Sequence, residues 1–560
     1  MSRPAVGQDR RGPGADRGRG PLRLVLAVAA LIAMLGNWPL WQALAELGLL
    51  QTAKGWGLAV ALGVAVFGAL VALMSALAWR LTLKPVAIFL LLATAAGAHY
   101  MLAYRIVIDQ TMLVNVLQTD PREAADVLSL RMLATLVLGG LLPAWAVWRT
   151  PVHFGRLGAR LGRNLGGLLL GLALVVAAVL ASFQPLSSTM RNHKQVRYLI
   201  NPLNSIYALG LVATEPLRRN DRVLLPLGED ARPGPSHAPG APPPNKPPLL
   251  LLVVGETARA GNFSLNGYPR PTNAELAKLP VISWRNAWSC GTNTAASVPC
   301  MFSHLGREQF AGRKANHENL LDVVQRAGMA VLWIDNQAGC KGVCARVPNV
   351  ETTALKHPQL CPDGECFDPI MLDGLDARIA ALPAERRARG VLLVMHQMGS
   401  HGPAYHKRVP PLAKRFLPEC STNNLQDCSR EQLVNAYDNT IAYTDRFLAQ
   451  AISWLQQREQ DNDTALLYVS DHGESLGENN LYLHGLPYAI APDVQKRVPW
   501  ITWLSPGFAQ RQRLDVACLR GRADAEISHD HLFHSVLGLL DVQTGVWQRA
   551  LDAYVGCRGR

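Results

Sequence analysis

The first 289 residues contain no cysteine, and all ten cysteines of the 560-residue chain lie from Cys290 onward. An even set confined to one part of a chain suggests that only this part meets an oxidising compartment. Cys-x-x-Cys knuckles are absent, which excludes a zinc ribbon. The cysteines are instead close neighbours: Cys290 and Cys300, Cys340 and Cys344, Cys361 and Cys366, Cys420 and Cys428, with Cys518 and Cys557 left for each other. Five disulfides are expected. No internal repeat is visible, and charge is scarce over residues 22–183, where Leu, Ala, Val and Gly dominate.

That stretch is where the long apolar runs are. A helical membrane span needs about 20 apolar residues, and five candidates appear at 22–41, 57–78, 85–104, 132–148 and 165–183. Further spans follow the first, so it is not a cleaved signal peptide. Arg3, Arg10, Arg11, Arg17 and Arg19 precede it. Arg80 and Lys84 follow the second span, and Arg149, Arg156, Arg160 and Arg163 follow the fourth. The first intervening outer loop has only Lys54. The second offsets Arg105, Arg122 and Arg131 with Asp109, Asp120, Glu123 and Asp126. The basic loops belong on the cytoplasmic side, so five spans leave the C-terminal part outside. The cysteines give the same answer independently, and the two together point to a multi-pass protein of a bacterial inner membrane with its C-terminal domain in the periplasm. The net charge of +13 is then largely a topological signal, and nucleic-acid binding is disfavoured.

The domain plan expected from these signals is a basic cytoplasmic tail over 1–21, a five-helix transmembrane domain over 22–183, a linker over 184–246, and a catalytic domain over 247–560. Within the linker, 184–228 mixes apolar and basic residues as interfacial helices do. The proline-rich 229–248 reads as an extended spacer without helix or strand.

Three apolar runs in the last domain share a design. "PPLLLLVVGET" ends at Glu256, "GVLLVMHQMGSHG" near His396 and His401, and "TALLYVSDHGES" at Asp471 and His472. Short Val- and Leu-rich runs bounded by breakers read as strands buried on both faces of a parallel sheet. Amphipathic stretches at 316–328, 369–382 and 429–457 alternate with them, so an α/β fold is expected. Sites in such folds gather at the carboxyl ends of strands, where Glu256, His401, Asp471 and His472 all fall. Carboxylate and imidazole are ligands that zinc accepts. The stretch "WSCGTNTAASVPCMF" adds hydroxyls between two cysteines. A threonine hydroxyl is a weak nucleophile unless a metal activates it. A helix starting after it favours anions such as phosphate. Thr292, Thr294 and Ser297 all qualify on chemistry alone.

The stretches "VVGETARAGNFSLNGYPRPTN", "SCGTNTAASVPCMFS", "MHQMGSHGPAYHKR" and "VSDHGESLGENNLYLHGLPYAIAP" closely resemble the phosphoethanolamine–lipid A transferases. That family includes the mobile colistin-resistance enzymes and belongs to the alkaline phosphatase/sulfatase superfamily. The resemblance covers nearly the whole chain. It implies a five-helix transmembrane domain joined to a periplasmic α/β domain of alkaline phosphatase/sulfatase type, with a central, mostly parallel sheet flanked by helices. It also implies that Thr294 is the nucleophile and becomes a phosphothreonine. Glu256, Thr294, Asp471 and His472 would hold one tight zinc, and His401 and His484 a second zinc or the phosphate itself. Lys341, His396, Asn115 and Glu123 match substrate-binding positions. The implied substrates are phosphatidylethanolamine as donor and lipid A or lipopolysaccharide as acceptor, and a monomer is expected. One departure is His531, where the family usually has Asn. It shares a helix face with His534, and a helix-start and packing role accounts for both.

Two other readings compete. A related enzyme could move phosphoglycerol to a periplasmic glycan, although ten cysteines argue against the Gram-positive setting of some such enzymes. A non-catalytic, membrane-anchored metal sensor or scaffold would have no need of Glu256, Thr294, Asp471 and His472 together. A sulfatase uses Cys/Ser-x-Pro-x-Arg, which "NTAASVP" does not offer.

Overall fold

The structure is a computed structural model that describes residues 20–119, 121–218, 220–238, 246–352 and 355–559. The arginines of the N-terminal tail and residues 239–245 of the proline-rich stretch lie outside the described residues.

Among the described residues, five helices are long and apolar enough to cross a membrane: Pro21–Glu46, Ala53–Ala76, Leu83–Ala103, Leu130–Arg149 and Leu157–Ala181. Each overlaps an expected span. The first and fourth widen to a π-helical turn at Ile32–Gly36 and Leu136–Leu141. Pro39 and Pro143 follow these turns, and a proline ring without an N–H disfavours a regular α-turn before it. The second and fifth helices approach backbone to backbone. A Cβ on Gly171 would lie 2.5 Å from the Ala72 nitrogen and from the Gly68 carbonyl, so only a side chain of hydrogen fits there.

Contacts divide the chain into two compact units. One unit holds the described residues up to Leu102 with Leu130–Ile206, and the other holds Ala103–Ser129 with Tyr207–Arg560. The interspan segment 103–129 therefore groups with the catalytic domain and not with the spans that flank it. Asp126 is one of the residues that tie it there. Its carboxylate pairs with Lys407 at 2.5 Å and Arg408 at 3.0 Å, and its carbonyl accepts from Asn423 at 2.7 Å.

The expected linker is likewise more structured than its composition suggests. Helices Phe183–Asn192, Gln195–Tyr198 and Leu203–Arg218 follow the last span. Strand Asn220–Leu225 then pairs in parallel with Ala315–His317. The stretch read as a strand-free spacer contains Arg232–Pro233, paired with Val542–Gln543. Beside that pair, the Ser236 N–H donates to Asp541 at 2.8 Å, and a ring nitrogen of His237 bonds the Leu540 carbonyl at 2.8 Å. Proline is tolerated in such a ribbon because one edge needs no donor.

The second unit is built on an eight-stranded sheet. In chain order its strands are β1 (Pro248–Gly255), β2 (Ile282–Trp288), β3 (Ala330–Asp335), β4 (Asn349–Glu351), β5 (Val391–His396), β6 (Asp463–Ser470), β7 (Arg497–Leu504) and β8 (Ile527–Ser528). Their order across the sheet is β8-β2-β7-β6-β1-β5-β3-β4. All neighbours are parallel except those of β7, which runs antiparallel to β2 and β6. Every residue of β1, β5 and β6 is buried, as a strand covered by helices on both faces requires. The register sets Val254 opposite His396 and Gly255 opposite Ser470. The three strands thus end level, and the residues just beyond them share one rim.

Candidate active site

Glu256, Asp471 and His472 meet at that rim. Each is fully buried, and one potential ligand atom from each lies within 4.8 Å of the others. His472 Nε2 stands 3.4 Å from both Glu256 Oε1 and Asp471 Oδ2. The backbone is shaped to hold them. Thr257 adopts φ +59°, costly for a β-branched residue, and in that turn its N–H reaches Asp471 Oδ1 at 3.0 Å. Gly399, at φ +52°, passes so close to Glu256 that a Cβ would lie 2.7 Å from its carbonyl oxygen.

Thr294 opens the helix Thr294–Met301, capped by the Asn293 side chain on the Ala296 N–H. Its Oγ1 lies 3.2 and 3.1 Å from the two oxygens of Glu256. The two other candidate hydroxyls are committed elsewhere. Thr292 donates to the Leu486 carbonyl at 2.6 Å, and Ser297 to the Asp471 carbonyl at 2.5 Å. Of the three, only Thr294 faces the acidic cluster. A disulfide joins Cys290 to Cys300 around it, and four others join Cys340 to Cys344, Cys361 to Cys366, Cys420 to Cys428 and Cys518 to Cys557.

The electrostatics of the cluster favour a cation. Burial drives Asp471 toward its neutral form, and the Glu256 carboxylate beside it adds to this, so its pKa is pushed up to about 7. Burial opposes charge on His472 too, but Asp471 and Glu256 outweigh it and raise the imidazole well above its ordinary range. Burial opposes charge on Glu256 as well, but the neighbouring His472 outweighs it and holds the carboxyl below the usual carboxylate range. Asp471 Oδ2 and His472 Nε2 are buried without a hydrogen-bond partner. Two buried carboxylates sharing one imidazolium, with inward-facing orphaned ligand atoms, form a donor set that fits a divalent metal ion.

Other expected residues surround this centre. His396 Nε2 lies 4.0 Å from Glu256, and its Nδ1 meets Asp335 at 3.1 Å. Burial works to discharge His396, but Asp335 outweighs it and raises its pKa. The His484 ring lies 4.2 Å from that of His472, tilted against it, and 6.0 Å from that of His401, edge-on, centroid to centroid. Lys341 Nζ donates to the Ala338 and Gln118 carbonyls at 3.1 and 3.3 Å. Asn115 Oδ1 accepts from the Ala295 N–H at 3.4 Å, beside Thr294. Glu123 falls in the short helix Pro121–Asp126, and its side chain lies outside the described residues. His531 and His534 are not drawn to the centre: His531 caps Ser528, and His534 accepts from the Gln548 N–H.

Three supporting residues carry no mark in the sequence. His529 is buried as a neutral ring, its pKa pushed down to about 3 by burial. It accepts from the Cys290 N–H at 3.0 Å and bonds the Ser470 carbonyl at 2.9 Å, tying the threonine loop to the end of β6. Glu474, pushed up to about 8 by burial, accepts from Tyr405 and braces His484 at 3.4 Å. Tyr437 donates to the Thr257 carbonyl at 2.7 Å and so fixes the strained turn.

A family profile described as Sulfatase matches residues 248–542, and one described as phosphoethanolamine transferase EptA/EptB matches residues 66–217. Over 477 residues, 84% of each chain, the protein is 42% identical to the phosphoethanolamine transferase EptA of Salmonella typhimurium. The chain belongs to the phosphoethanolamine transferase family. Another relative is the phosphatidylethanolamine transferase Mcr-1 of Escherichia coli, 37% identical over 533 residues, 93% of this chain and 95% of that one. The solved lipooligosaccharide phosphoethanolamine transferase A from Neisseria meningitidis, an integral membrane protein, superposes with a TM-score of 0.90 at 33% identity. That match covers 97% of this chain and 99% of the other. The protein is thus an enzyme of the phosphoethanolamine transferase family, a multi-pass membrane protein with a sulfatase-like domain.

Proposed function

We propose that the enzyme moves phosphoethanolamine from phosphatidylethanolamine to lipid A or lipopolysaccharide in two displacements, at a zinc centre on the periplasmic side of the inner membrane. The observation that carries this reading is Thr294 Oγ1 set against both oxygens of Glu256, next to the orphaned ligand atoms of Asp471 and His472.

Glu256, Asp471, His472 and Thr294 would hold the zinc, whose chemistry is to lower the pKa of the threonine hydroxyl and to neutralise charge on phosphoryl oxygens. Glu256 orients Thr294 Oγ1, and the Cys290–Cys300 bridge with His529 keeps its loop in place. The Thr294 oxygen attacks the donor phosphorus and diacylglycerol leaves. The acceptor oxygen then attacks the phosphothreonine and frees Thr294. His401 and His484, the latter braced by Glu474, take the phosphoryl oxygens or a second zinc. His396, charged by Asp335, adds a positive group to the same pocket. Asn115, Glu123 and Lys341 contact the lipid headgroup. Donor and acceptor are both lipids, which explains an active domain carried on five spans.

The test is mass spectrometry of lipid A and core oligosaccharide from cells with and without the enzyme. A gain of one phosphoethanolamine group is expected, and it should vanish in Thr294→Ala while the protein still accumulates in the membrane. Transfer surviving in that variant would place the nucleophile elsewhere.

A further inference from the structure

At one end of the spans, the turn after the second helix and the loop before the fifth line a common open cavity. Arg80 forms one side of it, and Val152, His153, Phe154, Gly155 and Arg156 form the other. Asn164 of the fifth helix fastens the two elements, donating to the Ala78 carbonyl at 3.1 Å. All of these residues lie within the unit of the spans, and none has a part in the chemistry above.

The charge around this cavity has one sign. Lys84, Arg149, Arg160 and Arg163 belong to the same loops and helix starts, and each is engaged within the protein. Lys84 donates to the Trp148 carbonyl at 2.7 Å, and Arg149 lies 5.5 Å over the Trp145 ring. Arg160 lies 5.7 Å over Phe154 and donates to the Gly155 carbonyl at 3.1 Å, while Arg163 donates to the Phe154 carbonyl at 2.5 Å. Arg80 and Arg156 differ. Both are exposed, and neither guanidinium has a hydrogen-bond or ionic partner among the described residues. Among the described residues of this unit, the only acidic side chain is Glu46, at the end of the first span. The 24 residues of the second span, about 36 Å of helix, lie between it and Arg80.

Two unspent guanidinium forks on one cavity suit a phosphate. The surroundings decide between a soluble phosphate and a lipid. Leu157, Leu161, Leu165 and Leu169 are exposed and recur every fourth residue down the fifth span from Arg156. Trp145 and Trp148 are exposed at the end of the fourth span, as aromatic side chains are at the headgroup level of a bilayer. A molecule whose phosphate fills the cavity thus has an apolar track for acyl chains next to it. We infer that the cavity binds one anionic phospholipid, its phosphate on Arg80 and Arg156 and its chains along the fifth span. Phosphatidylethanolamine suits it less, because its ammonium group would enter a region of cations without a carboxylate. The topology rule explains basic residues at this end of the spans, but not two that share a cavity unpaired. With those loops on the cytoplasmic side, the lipid belongs to the cytoplasmic leaflet. The site shares no residue with the centre at Thr294 and stands whether or not the transfer reading does.

Purified full-length enzyme in detergent is titrated with phosphatidylglycerol and with phosphatidylethanolamine of the same acyl chains, and bound lipid is counted by native mass spectrometry. The wild type should hold one phosphatidylglycerol about tenfold more tightly than phosphatidylethanolamine. Arg80→Gln and Arg156→Gln should each weaken that binding about fivefold, the worth of one cation at a lipid surface. Arg149→Gln, on a side chain that lies over Trp145 and does not line the cavity, should leave it unchanged. If the Gln variants insert poorly, Arg80→Lys and Arg156→Lys keep the charge that orients the spans and lose the fork, and each should still weaken binding. Phosphatidylglycerol should also raise the thermal unfolding midpoint of the wild type, and less so that of the double Gln variant. Equal retention of the two lipids would overturn the inference. So would a loss in Arg149→Gln as large as in Arg80→Gln, which would reduce the cations to diffuse charge. Glycerol 3-phosphate binding as tightly as phosphatidylglycerol would make the ligand a soluble phosphate and overturn it as well.

Discussion

At the scale of single residues, the candidate site turns on how three hydroxyls are spent. Thr292 and Ser297 each donate to a backbone carbonyl, whereas Thr294 faces Glu256. Thr292→Val keeps the shape and loses one hydrogen bond, at about 1 kcal/mol. It is expected to lower the midpoint of thermal denaturation and to keep most of the activity that Thr294→Ala loses. His529 positions the threonine loop without facing the acidic cluster. His529→Leu should lower kcat on the order of tenfold to a hundredfold through displacement of the nucleophile, with the metal content of the purified protein unchanged. A loss of bound metal in that variant would show that His529 serves the ligands instead. Glu256, Asp471 and His472 were legible in the sequence because each directly follows a buried strand run. His529 and Tyr437 were not, since each works through a backbone group, and a backbone group leaves no residue pattern. Among the hydroxyls, chemistry alone left three choices. Resemblance pointed to Thr294, and the hydroxyls of Thr292 and Ser297 are spent on backbone carbonyls.

At the scale of elements, β1, β5 and β6 could be read as apolar runs because both their faces are covered. β7 could not. Pro499 interrupts it, and the register with β2 shifts between Val498 and Trp500, the irregularity at which a strand accommodates proline. The turn after β5 depends on Gly399. Gly399→Ala would meet the Glu256 backbone at a positive φ. About 1–3 kcal/mol of strain is expected there, read as a lower unfolding midpoint together with lost transfer activity. The helix Arg430–Gln456 carries Asp445, whose carboxyl burial raises to about 6 although it accepts the N–H groups of Glu275 and Leu276. A carboxyl raised on folding contributes stability that is full below the unfolded pKa of 3.8 and lost as pH rises through about 6. Denaturation midpoints measured across that window should therefore fall less steeply with pH in Asp445→Asn than in wild type. Identical slopes would mean that folding leaves the Asp445 carboxyl unshifted.

At the scale of the whole molecule, the five spans and the α/β domain were legible because hydrophobic length and strand-helix alternation are local signals. The membership of segment 103–129 was not legible. It depends on Asp126 meeting Lys407 and Arg408, 281 and 282 positions away, and charge content alone gives no partner. Arg408 also donates to the His401 carbonyl at 3.0 Å and pairs with Glu365 at 2.6 Å, so it links the interspan segment to the site histidines. Asp126 and Arg408 are nearly fully buried, and breaking a buried pair typically costs about 3–5 kcal/mol. Asp126→Asn should accordingly lower the unfolding midpoint of the full-length enzyme and make the interspan segment more sensitive to protease. A chelator should lower the same midpoint in wild type, because an ion bound only by the folded state stabilises it. Glu256→Gln should be less responsive to the chelator.

The grouping of 103–129 with the catalytic domain bears on how inhibitors are sought. A water-soluble fragment begun at Tyr207 would omit Asn115 from beside Thr294, Gln118 from Lys341, and Asp126 from Arg408. The cleft beside Ala295 and Ala296 would lose the wall formed by Gln110, Thr111, Val114 and Gln118, and Arg408 would keep only Glu365 as an acidic partner. Compounds selected against such a truncated form would be fitted to an opening that the intact enzyme closes with its own interspan chain.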